Sequence, residues 1–126
     1  MKRLLLLAGI YCLAGCKKNE TAAASKPQVI INTPSASQHF VKGDTIRITG
    51  TVTHTAAILE VAVHMTSLST GNEFFHNHFS AGNLLQYNFS SVYGIPDLNK
   101  ATYKVEVEAT DKDGNTGTKE LAITVN

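Results

Sequence analysis

Three histidines carry the sharpest chemical signal in this chain. His64 ends the run Val61-Ala62-Val63-His64, and His76 and His78 flank a single residue in His76-Asn77-His78. Neutral imidazoles are good ligands for borderline metals. Three on one surface, with an open fourth position, suit zinc or copper. His39 and His54 complete the five histidines and stand without an evident partner. A second set is Asp111, Asp113 and Asn115, in Asp111-Lys112-Asp113-Gly114-Asn115, which begins like a calcium loop. It lacks the closing Glu and the flanking helices of an EF-hand, and a hairpin turn explains its Asp-Gly equally well. Catalysis finds no comparable constellation. The chain has no nucleophile elbow and no paired carboxylates at strand ends, so it reads as a non-enzyme. Lys42-Gly43-Asp44 reads as a turn, and Glu106 and Glu108 as a solvated strand face.

The histidines become a cluster only if the chain positions them. Ile58–Ser67 and Glu73–Phe79 read as two strands of a hairpin closed by Leu68–Asn72. Their apolar faces agree when Met65 opposes Phe75 and Val61 opposes Phe79. That register sets His64 directly against His76, with Cβ atoms about 5 Å apart, and His78 on the adjacent diagonal. All three imidazoles then leave the same outer face, where Glu60 is the nearest carboxylate. Asn77 falls on the inner face, opposite Val63. The competing reading is a set of polar residues on the solvent side of an edge hairpin.

The rest of the chain is β in pattern from Val29 onward. Gln28–Asn32 reads as a first strand, stopped by Thr33-Pro34, and His39–Thr45 as a connection. Thr45–Thr53 alternates, with Ile46, Ile48 and Val52 on one face. In Ile58–Ser67 the alternation turns Leu59, Val61, Val63 and Met65 inward, and Glu60, Ala62, His64 and Thr66 outward. Leu84–Val92 places Leu85, Tyr87 and Phe89 together. Thr102–Ala109 turns Tyr103, Val105, Val107 and Ala109 inward, and Thr118–Val125 does so with Leu121, Ile123 and Val125. Seven strands in about a hundred residues predict an all-β, immunoglobulin-like or fibronectin-like sandwich.

Composition narrows the function classes. The chain has 126 residues, enough for one core, and a net charge of +1, without the basic excess of a nucleic-acid binder. It has no Trp and 7% aromatics, which argues against a sugar or base platform.

The N-terminal segment is an address. Met1-Lys2-Arg3 is a short basic start, and Leu4–Leu13 is an apolar run too short to span a bilayer. It leads into Leu13-Ala14-Gly15-Cys16, which resembles the lipobox of bacterial lipoproteins. The resemblance implies that residues 1–15 are removed and Cys16 is lipidated, anchoring the protein in the cell envelope, at the outer membrane. Lys2 and Arg3 leave with the signal, so the net charge falls from +1 to −1. Cys12 leaves too, so no thiol remains for a disulfide, a thiolate site or a nucleophile. Residues 16–27 are polar and Ala-rich and read as a flexible tether; residues 28–126 form the sandwich.

Two further resemblances follow. Gly94 to Asn115, with Tyr103 at the head of a strand and Asp111 through Gly114-Asn115 as a hairpin, resembles the end of bacterial immunoglobulin-like and fibronectin-like modules. That implies that Tyr103 packs at a corner. Cys16, Val61-Ala62-Val63-His64, His76-Asn77-His78 and Thr110-Asp111-Lys112-Asp113-Gly114-Asn115 together resemble an uncharacterised family of Bacteroidetes lipoprotein domains, domain of unknown function 4625. The family implies the envelope address and the fold but no reaction. Its second His pair is replaced here by Gln86-Tyr87-Asn88-Phe89, which makes any metal site smaller. The two function classes are therefore a lipid-anchored binding or structural module, with other envelope proteins as partners, and a metal-binding accessory lipoprotein.

Overall fold

A computed structural model describes residues 25–94 and 99–126. The signal segment, Cys16 and most of the tether lie outside the described residues. The described chain is all β: β1 (Gln28–Thr33), β2 (His39–Phe40), β3 (Thr45–Ser67), β4 (Glu73–Gly94), β5 (Ala101–Asp111) and β6 (Thr116–Val125).

The expected strands are present, but four of them are joined. Thr45–Thr53 and Ile58–Ser67 are the two halves of β3, and Glu73–Phe79 and Leu84–Val92 fall in the two halves of β4. The pairing of β3 with β4 is irregular between Thr53 and Ile58 and again between Ile58 and Glu60. Gly82 and Asn83 take positive φ values of 63° and 62° at the same place. These irregularities let both strands turn a corner and pass from one layer of the sandwich to the other. The first half of β3 pairs with β1 and with the second half of β4. The second half of β3 pairs with the first half of β4 and with β5, which continues through β6 to the two-residue β2. The connection expected at His39–Thr45 thus contributes β2, a short parallel edge.

The core lies between these layers. Ile46, Ile48 and Val52 face Val61, Val63, Met65, Val105, Val107 and Ile123, all fully buried. Each such side chain contributes about 1.5–3 kcal/mol by leaving water. The corner corrects one inward assignment and divides one shared face. Leu59 is 44% exposed and Ile58 is buried instead, because Leu59 is the extra residue at a register shift and the alternation restarts there. Leu85 is 57% exposed, while Phe89 further along is buried. Ala62 is on the outer face as expected, yet it is buried between His78 and Glu108.

Tyr103 does occupy a corner. It is buried, and its hydroxyl donates to the Asn99 carbonyl four residues upstream at 2.7 Å, the hydrogen bond of a tyrosine corner. Asn77, on the inner face opposite Val63, donates to the buried Ser91 hydroxyl at 3.2 Å. Pairing the two polar groups removes the penalty of burying either alone.

Candidate metal centre

The hairpin register holds residue by residue. Met65 pairs with Phe75, Val61 with Phe79 and His64 with His76. The His64 and His76 ring centroids are 4.3 Å apart, and those of His76 and His78 are 4.1 Å apart. The three predicted histidines therefore form one row on the outer face of β3 and β4.

Glu73 completes the group, and simple alternation hides it. Two residues before Phe75, it belongs by parity on the inner face. The ladder is interrupted between Met65 and Thr66, so that Thr66 pairs with Glu73 and Phe74 is left as the extra residue of a β-bulge. The bulge sends Glu73 outward with Thr66 and His64. Phe74 turns the other way and meets Tyr93 and Tyr103 edge-on, with centroids 5.6 and 5.4 Å away.

The Glu73 carboxylate spans two rings. His64 Nδ1 lies 2.9 Å from Oε2 and His76 Nδ1 lies 3.2 Å from Oε1. His78 Nδ1 contacts the Glu60 carboxylate in the same manner. An ionised carboxylate only accepts, so each Nδ1 carries the proton, and in the neutral ring Nε2 then keeps a lone pair. Carboxylates that orient histidine ligands in this way are usual at metal sites. On the other side of His64, its β5 partner Glu106 is held by Lys104 Nζ at 3.2 Å. Lys104 in turn has its pKa raised, first by that hydrogen bond and then by the Glu106 charge.

Among the described residues, donor atoms of His64, Glu73 and His76 all lie within 4.8 Å of one another. Tetrahedral ligands about 2.1 Å from zinc stand about 3.4 Å apart. His76 and Glu73 are exposed and His64 half-buried, so rotation about χ angles can close the difference. His78 extends the row beyond this group.

The calcium candidates are not brought together as an oxygen cage. Asp111 is buried, and its carboxylate accepts from the backbone N–H groups of Asp113 and Asn115 and from the Asn115 side-chain amide. His54 Nε2 lies 2.8 Å from its second oxygen, and both side chains of that pair are almost wholly buried. Burial alone would raise the Asp111 pKa. The hydrogen bonds from Asn115, His54 and Asp113 outweigh it and hold the carboxyl well below the usual range. Asp111 thus organises the β5–β6 turn and supplies the partner of His54, 57 positions away, which local sequence does not reveal. His39 meets Asn126 at 3.3 Å.

Fold and site together define an immunoglobulin-like β-sandwich with a carboxylate-buttressed histidine row on one outer face. The family described as Domain of unknown function (DUF4625) matches residues 14–126, and the chain belongs to that family. No curated protein matches the sequence. Among solved structures the chain is similar to CopC from Methylosinus trichosporium OB3b, at 16% identity and a TM-score of 0.49, covering 81% of this chain and 93% of that one. It is also similar to murine CRIg, at 13% identity and a TM-score of 0.45, covering 79% and 96%.

Proposed function

We propose that this protein is a lipid-anchored module of the cell envelope that acts by binding rather than catalysis, and that its histidine row holds a zinc or copper ion. One observation carries the metal reading: His64, Glu73 and His76 present donor atoms within 4.8 Å of one another on a rigid sheet face. The Nδ1 contacts to Glu73 and Glu60 support it, since in neutral rings they turn the Nε2 lone pairs toward a ligand. The sequence of Leu13-Ala14-Gly15-Cys16 supports the anchor, with residues 1–15 removed, residues 16–27 as tether and other envelope proteins as partners. A net charge near zero fits a protein that leaves nucleic acid alone.

Titration calorimetry with zinc and with copper tests the metal reading. The wild-type chain binds at neutral pH, and a His76→Ala, His78→Ala double variant loses binding while keeping its fold. No binding by the wild type, or equal binding by the double variant, overturns it. Cys16→Ser tests the anchor: a processed variant that stays on membranes refutes lipid attachment at Cys16.

A further inference from the structure

Three exposed leucines gather at one corner of the sandwich. Leu84 pairs with Ile58, next to Leu59, and Leu85 follows Leu84. They are 53%, 44% and 57% exposed for Leu84, Leu59 and Leu85 respectively, whereas Ile58 and Ala81 beside them are buried and already fill the core. The register irregularities that turn β3 and β4 leave the leucines projecting, with the left-handed Gly82 and Asn83 at the tip. Clustered exposed apolar side chains of this kind mark an interaction surface.

The chain enters the sandwich at this same end. Gln28, Thr53 and Gln86 stand side by side across β1, β3 and β4, directly before the corner. Pro27 lies against β6 there, so close to Gly117 that a Cβ on that glycine would stand only 1.8 Å from its carbonyl oxygen. The β5–β6 turn joins the corner through the Lys112 N–H, which donates to the Ala57 carbonyl at 3.0 Å. Lys26 and Lys112 are exposed at this end, with two exposed acids, Asp113 on the turn and Glu60 next to Leu59. Eleven residues separate Cys16 from Gln28. As a flexible chain they span roughly 17–20 Å, and at most about 40 Å when extended.

We propose that this corner docks on the bilayer surface, with Leu84 and Leu85 entering the interface and Lys26 and Lys112 facing anionic headgroups. The inference rests on the anchoring through Cys16, which brings this end of the domain to the membrane. Apolar side chains add to a lipid anchor by burying area at the headgroup boundary. Of the histidine row, His64 and His76 with Glu73 lie toward the turn at the opposite end of the hairpin, while His78 reaches Glu60, next to Leu59, on the corner side.

The chain contains no Trp, so a single introduced indole reports its own surroundings. Leu84→Trp and Leu85→Trp are made separately in the full lipidated chain, with Val41→Trp, exposed beside β2 at the far end, as reference. Each is reconstituted in vesicles of phosphatidylethanolamine and phosphatidylglycerol. Leu84→Trp and Leu85→Trp show blue-shifted emission that is lost with lipids brominated in their acyl chains, while Val41→Trp stays open to aqueous iodide. Iodide quenching of both leucine variants equal to that of Val41→Trp, in protein that sediments with the vesicles, overturns docking alone. Protein that does not sediment overturns the anchoring, and the docking with it. A blue shift without vesicles that deepens with protein concentration gives the corner to a second copy instead.

Discussion

Replacing Glu73 with Gln separates the metal reading from a merely polar surface. Each carboxylate oxygen of Glu73 meets a different imidazole, at 2.9 Å for His64 and 3.2 Å for His76. Gln keeps the shape but has only one acceptor oxygen. Its amide group then faces one Nδ1–H donor to donor, and that ring loses its orientation. Losing an orienting partner of this kind lowers metal affinity about 10- to 100-fold. That is about 1.4–2.7 kcal/mol of binding free energy. If Glu73 itself ligates the metal, the loss exceeds this range. Folding is affected much less, because the Glu73 side chain is 44% exposed and surface ion pairs contribute about 0–1 kcal/mol. For a domain near this size the melting temperature then falls by no more than about 4–8 °C. The assay is a competition titration with zinc and with copper at fixed neutral pH and salt, with thermal unfolding of the metal-free proteins in parallel. Unchanged affinity in Glu73→Gln refutes the reasoning. So does a loss of affinity accompanied by an equivalent loss of fold.

Three further outcomes are expected. Tyr103→Phe removes the hydrogen bond to the Asn99 carbonyl and lowers stability by about 1 kcal/mol, read from the denaturant midpoint. Val105→Asp puts a carboxylate at a fully buried position of β5, and thermal unfolding registers a destabilisation of about 4 kcal/mol or more; an unchanged melting temperature would place Val105 on the surface. Asp111 has a lowered pKa in the folded state, so its stabilising contribution is complete above the ordinary carboxylate value of 3.8 and is lost as pH falls below it. Denaturant midpoints of wild type and Asp111→Asn should accordingly differ at neutral pH and converge in acid.

Local alternation was enough to find most of the strands and the hairpin that matters. Met65 had to oppose Phe75 for both to be apolar on one face, and that single condition put His64 against His76. The period-2 rule is rigid inside a paired segment, so it was reliable as far as the pairing ran unbroken. The inward face of Tyr103 followed from the same alternation, while its corner role came from the resemblance to immunoglobulin-like and fibronectin-like modules. What failed was everything that depends on a break in the ladder. The bulge at Phe74 reversed the face of Glu73, and the shift at Leu59 exchanged Leu59 for Ile58 in the core. The joining of four expected strands into β3 and β4 followed from a corner whose residues are individually unremarkable in type. Such breaks arise where two packed layers compel a strand to turn, a demand that acts through space. The same holds for His54 and Asp111, which meet across 57 positions because β5 runs beside β3. Sequence therefore determined the periodic part of the protein and the histidine row that rides on it. Glu60 behind His78 was legible on the same face; tertiary structure alone decided that Glu73 joins it and which leucines are left facing water, because both depend on breaks in the ladder.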